Sequence, residues 1–240
     1  MTLVFLHGSG CTSVVWEQQL EFFEGSLALN FPGHPEGAVL DDVSALSAWL
    51  IETIKEKNLS DVVLVGHSLG SAVAMQAVLA EPQLFKGLVL IGAGARLKVI
   101  PQLLSALTEL VSSNAVFPDY LLAANQHILE PFKSNINESI KANGVKVLLN
   151  DFIACDKFDV MDELAQLNIP TQVIVGDKDQ MTPLKYASYL KELLPNARLT
   201  IIENATHMVF AERAELVNKT IQDFLTSVLS IPKALASELE

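Results

Sequence analysis

The residues whose types and spacing could do chemistry begin in "VGHSLGS", residues 65–71. Ser68 lies between Gly66 and Gly70, after the apolar run 62–65 and before an apolar helical pattern. In G-x-S-x-G set between a strand and a helix, the serine stands on a sharp, strained turn with its Oγ lifted from the sheet. Glycine is required on both sides because a Cβ there would collide with a neighbouring strand or helix. A helix starting at Leu69 turns free N–H groups toward that oxygen and favours negative charge on it. These are the surroundings of a nucleophile. The competing reading is a tight turn carrying a solvated serine.

A serine nucleophile needs a base. The chain has five histidines, His7, His34, His67, His127 and His207. His207, in "ENATHMVFAE", follows a strand-like run at 199–202, which puts it on a loop at the end of the sheet where Ser68 would emerge. His7 and His67 adjoin glycine turns and read as braces, and His127 as exposed or as a cap contact. The base needs an acid to fix its tautomer and stabilise the imidazolium. "VIVGDKDQMTP" offers Asp177 and Asp179 after another strand, although both residue types are common in surface turns. With Asp179, the chain order is Ser68, Asp179, His207. The developing oxyanion needs preorganised N–H donors. Leu69 N–H is one candidate. In "FLHGSGCTS" Ser9 N–H is the other, with Gly10 or Cys11 as substitutes.

The elements that must position these groups alternate along the chain. Short apolar runs at 3–6, 27–31, 62–65, 88–91, 172–175 and 199–202 read as strands. Amphipathic patterns at 14–23, 44–57, 69–80, 183–194 and 212–229 read as helices. Continuous Val/Leu/Ile strands are buried on both faces, so the expected fold is α/β, a doubly wound and mainly parallel sheet of about six strands. One stretch, 96–166, has no clear strand. Pro101 and Pro118 can each open a helix there, and 137–155 reads as a longer helix weakened by Gly144. The expected organisation is a core of 1–95 and 167–230, a helical cap of 96–166 over the ligand crevice, and a frayed tail of 231–240. Leu103, Leu107, Phe117, Leu121 and Leu122 supply apolar surface in the cap and are the expected substrate contacts, although packing of the cap explains much of it.

Composition narrows the function. Half of the 240 residues are hydrophobic and the net charge is −12, which fits a folded domain without the basic surface that nucleic acid requires. The two cysteines, Cys11 and Cys155, form no metal-ligand pattern and read as reduced thiols. No apolar run approaches a membrane span, and residues 1–6 are too short for a signal sequence. The expectation is a soluble cytoplasmic protein with a small-molecule substrate, no metal, no nucleic acid and no membrane.

With these pieces assembled, the chain resembles the α/β-hydrolases, in their small carboxylesterase and lipase-like branch, from about residue 3 to 229. "LVFLHGSG" resembles the family's HG loop, "FPGH" its PGH turn, "LVGHSLGSAVAM" its nucleophile elbow and "GARLKV" the segment entering the cap. "IPTQVIVGDKDQMTP" is similar to its acid-bearing strand and loop, and "ATHMVF" to its histidine loop. The resemblance implies cofactor-free ester hydrolysis. It favours Asp179 as the acid, since the family's acid closes G-x-x-D.

Departures from the family pattern are Thr206 before the histidine and Ser71 after the elbow, where it usually has glycine, and "PGHPEG" for PGHG-x-S. The family's N-terminal hairpin is also missing, so the strand at 27–31 should be an edge. A second subunit, the tail or loops would then cover it, and a homodimer is one expectation. A carboxylesterase acting on short- to medium-chain esters is the favoured reading. With the same triad, C–C bonds of ring-cleavage products, lactones or thioesters are alternatives. A non-catalytic ligand-binding protein of hydrolase fold is an alternative of another class.

Overall fold

The computed structural model describes residues 1–229, so the expected tail lies outside the described residues. Six strands form one sheet: β1 (Thr2–Leu6), β2 (Leu27–Leu29), β3 (Val62–His67), β4 (Phe85–Ile91), β5 (Thr171–Gly176) and β6 (Ala197–Ile202). Their order is β2-β1-β3-β4-β5-β6 and every pairing is parallel. All of β3 is buried, with Val62 and Leu64 in one apolar layer and Val63 and Val65 in the other. That is why it reads as an unbroken apolar run rather than an alternating one. The strand expected at 27–31 ends at Leu29, at the sheet edge. Phe31 leaves the strand to pack beside His7 and Trp49.

One layer holds α2 (Val43–Glu56), α3 (Leu69–Ala80) and α6 (Leu184–Leu193). Asp42 caps α2 by accepting from Ala45 N–H at 2.8 Å. The other layer holds α7 (Val209–Glu212) and α8 (Ala214–Leu229). In α8 the buried residues Val217, Ile221, Phe224 and Leu225 repeat at helical spacing along one face. The helix expected at 212–229 begins at Ala214, because Arg213, whose φ and ψ of −134° and 48° are not helical, separates it from α7, which ends at Glu212. The helix expected at 14–23 is a 3-10 turn, Ser13–Trp16, followed by α1 (Glu17–Phe22).

Residues between β4 and β5 are helical, as the missing strand pattern suggests. Pro101 opens α4 (Pro101–Ser112) and Pro118 precedes a 3-10 helix, Asp119–Asn125. The longest described helix, α5 (Phe132–Lys157), begins five residues before the expected start. It is interrupted at Gly144, whose φ of 79° and ψ of 172° only glycine adopts readily. Leu107, Val145 and Leu148 give α4 and α5 a small core of their own. At its base the insertion closes on itself: Val160 N–H donates to Ala95 O at 2.9 Å, and Arg96 pairs with Asp159 at 2.8 Å.

Candidate active site

The turn after β3 carries Ser68 at φ 52° and ψ −118°, a conformation that costs a non-glycine residue roughly 1–3 kcal/mol. Its neighbours leave no alternative. A Cβ on Gly66 would lie 2.3 Å from Gly70 O, and one on Gly70 would lie 2.3 Å from Leu6 O. Strand β1, the turn and α3 are therefore in backbone contact, and the strain at Ser68 is held by packing on both sides. Ser71, where glycine was expected, donates its hydroxyl to Ser68 O at 2.6 Å and reinforces the turn. Among the described residues Ser68 Oγ makes no hydrogen bond, and it faces a cavity that His207 also lines.

Asp179 and His207 meet there. His207 Nδ1 donates to Asp179 Oδ2 at 2.8 Å, which leaves Nε2 as the bare nitrogen. Asp179 Oδ1 accepts from Met181 and Thr182 N–H, both at 2.9 Å, and Oδ2 accepts from Thr182 Oγ at 2.8 Å. Burial opposes ionisation of Asp179, but the contacts from His207 and Thr182 prevail and hold the carboxyl below its ordinary pKa. Asp177, the other sequence candidate, instead accepts from Ala205 N–H. Thr206 uses its N–H and hydroxyl to bind Glu212, which anchors the loop carrying His207.

Two histidines brace this arrangement, as the sequence suggests. His67 Nε2 donates to His207 O at 3.0 Å, while its Nδ1 is buried without a partner. Burial, then repulsion from His207, holds its pKa well below the ordinary value, so the ring is neutral. His7 Nδ1 donates to Gly8 O at 2.9 Å, and its Nε2 accepts from Phe31 N–H at 3.1 Å. Burial, helped by repulsion from His34, pushes His7 down to about 3. Cys11 and Cys155 are pushed up to about 12 by burial, which favours the protonated thiol over the thiolate.

Of the candidate oxyanion donors, Gly10 N–H is committed to Asp151 and Cys11 N–H to Gly8 O. Ser9 and Leu69 N–H have no acceptor among the described residues, and Ser9 and Ser68 line the same cavity.

The cavity measures about 280 Å³ and its wall is largely apolar. Leu103 and Leu121 line it. Three other expected contacts lie elsewhere: Leu107 is in the core between α4 and α5, Leu122 is in the layer under the insertion, and Phe117 packs between these two clusters. Sequence reasoning missed Leu148, Phe152, Met181 and Met208, of which the two methionines directly neighbour the acid and base regions. It also missed Gly92, where a Cβ would lie 3.1 Å from the His207 ring. The Gly92 signal was present in the sequence, as a glycine directly after a strand.

Residues 3–220 match the model of the alpha/beta hydrolase family. The chain belongs to that family. Among solved structures it is similar to a thermophilic esterase, with 33% identity and a TM-score of 0.82 over 94% of this chain and 90% of that one. It is 27% identical to a pimeloyl-[acyl-carrier protein] methyl ester esterase of Pseudoalteromonas atlantica, over 88% of this chain and 89% of that protein. It is 24% identical to the (E)-2-((N-methylformamido)methylene)succinate hydrolase of Acinetobacter baylyi, over 93% and 89%. No described helix of this family member is long and apolar enough to cross a membrane.

Proposed function

We propose that the chain is a serine carboxylesterase acting on short- to medium-chain esters through Ser68, His207 and Asp179. The observation that carries this reading is a cavity lined by Ser9, Ser68 and His207, with His207 paired to Asp179 and Ser9 N–H without an acceptor among the described residues. His207 Nε2 takes the proton as Ser68 Oγ attacks the ester carbonyl, and Asp179 stabilises the imidazolium that forms. Ser9 and Leu69 N–H bind the oxyanion. The C–O bond to the alcohol then breaks, and His207 returns the proton to the leaving oxygen. Water, deprotonated by His207, attacks the acyl-enzyme and releases the acid and free Ser68.

The wall supports the proposed substrate class. A volume of about 280 Å³ with methyl and ring surface suits an uncharged acyl group of modest length. The esterases among its relatives make ester cleavage the favoured reaction. Initial rates on p-nitrophenyl esters from acetate to palmitate, for wild type and Ser68→Ala, test the proposal. The expected result is turnover greatest at short to medium chains and lowered roughly 10⁴-fold or more in the variant. Comparable rates in wild type and variant, or a maximum at palmitate, would overturn it.

A further inference from the structure

The loop that carries Ser9 is gripped by the insertion. Asp151 of α5 is nearly inaccessible to solvent, and its Oδ2 accepts Gly10 N–H at 2.7 Å. The same oxygen meets His34 Nε2 at 2.8 Å, so the turn after β2 shares this anchor. From the other side of the Gly144 interruption, Asn143 Nδ2 donates to Gly10 O at 2.9 Å and Cys11 O at 3.0 Å. Its own Oδ1 is buried with no partner, so the side chain's polar contacts here are all donated to this loop. A Cβ on Gly10, whose φ is +69°, would come within 2.8 Å of Leu148 Cδ1, and Ser9 Oγ lies 3.5 Å from Cys155 Sγ. Leu148, Asp151 and Cys155 fall three and four residues apart, on one stripe of the second half of α5.

This grip fixes the peptide planes around the donor. Gly8 O is held by His7 Nδ1–H and Cys11 N–H, and Gly10 is held at both its N–H and its C=O. With its neighbours tied, Ser9 N–H has no freedom to turn toward solvent. A donor held in place before the charge develops stabilises a transition state far more than one that must reorganise.

Resting on the esterase reading above, we infer that Asp151 and Asn143 are positioning residues. They hold Ser9 N–H at the oxyanion, and so make turnover depend on how α5 of the insertion is seated. At this place the carboxylate acts as an oxygen acceptor for Gly10 N–H and His34 Nε2. Asparagine keeps an oxygen able to accept from both Gly10 and His34, while alanine leaves both donors buried and unpaired.

The experiment compares Asp151→Ala, Asp151→Asn and Asn143→Ala with wild type and Ser68→Ala on p-nitrophenyl butyrate. Inhibition by an alkyl trifluoromethyl ketone, which forms a tetrahedral oxyanion on a reactive serine, is measured beside it. Asp151→Ala is expected to lose about 10- to 100-fold in kcat with KM within about threefold, because an oxyanion contact matters only in the transition state. The ketone's Ki should rise by a similar factor. Asp151→Asn should stay within about threefold of wild type, and Asn143→Ala should lose about fivefold in kcat. A folded Asp151→Ala with unchanged kcat, one altered only in KM, or an asparagine variant as impaired as the alanine variant would overturn the inference. If Asp151→Ala does not fold, unchanged kcat in Asn143→Ala overturns it. Failure of the esterase reading looks different, because wild type and Ser68→Ala would then be equally inert.

Discussion

At the floor of the cavity, Asp179 receives four hydrogen bonds, and the elbow is confined by glycines on both sides of Ser68. On the wall, Leu103, Leu121, Leu148 and Phe152 present only apolar surface, held by packing between helices. The floor tolerates almost no change of geometry, because a hydrogen bond is lost over a fraction of an ångström. The wall tolerates change of volume at modest cost. If the floor carries the proposed chemistry and the wall the proposed selectivity, the two are built from different materials, and substitutions in the two regions should fail differently.

The largest contrast comes from Asp179→Asn. An amide can offer an N–H to His207 Nδ1 and favour the tautomer whose Nε2 already carries a proton. The expected loss is about 10⁴-fold in kcat with little change in KM, measured on p-nitrophenyl butyrate. A loss of less than about tenfold would show that the acid contributes little beyond packing.

A second, smaller effect belongs to the bracing histidines. His7 and His67 are neutral in the folded protein at pH values where the unfolded chain, with the ordinary histidine pKa of about 6.5, takes up protons. Stability should therefore be greatest above about pH 6.5 and fall on acidification, by up to about 3 kcal/mol per pH unit if both contribute fully. The depressed pKa of Asp179 acts in the same direction, since its contribution is lost as pH falls through its folded value. His7→Gln, which keeps a donor and an acceptor, should roughly halve the slope of urea-unfolding free energy between about pH 4 and 6. An unchanged slope would remove His7 from this account.

The smallest effect is expected at the wall. Leu121→Ala should enlarge the cavity and shift the ratio of kcat/KM for octanoate over butyrate upward by about tenfold, leaving kcat on acetate nearly unchanged. A fall on all esters alike would place Leu121 among the residues that hold the floor.

The difference between floor and wall also explains what was legible in the sequence. Gly66 and Gly70 are forced by backbone collisions that few other residue choices escape, so the elbow could be found from five letters. Asp179 and His207 follow strands, and strand ends are visible as apolar runs. The wall has no such stereochemical signature. Leu121 and Leu122 are adjacent and chemically identical, yet one faces the cavity and the other the layer below. Their separation depends on the 3-10 winding of Asp119–Asn125, which periodicity cannot resolve in so short a segment. Asp151 escaped notice for a related reason. A carboxylate in phase with Leu148 and Cys155 looks like an ordinary break in an apolar stripe until its partners in two distant turns are known.

The pairing of β4 with β5 has a kinetic consequence. Leu88 lies beside Thr171, so this ladder closes only after the whole intervening insertion has been spanned. Ser68 lies on one side of that closure, and Asp179 and His207 lie on the other. Non-local parallel pairing is slow compared with helix formation, so helical signal should return early in refolding. Activity should return only once the β4–β5 ladder has formed, which makes turnover a clock for that long-range step.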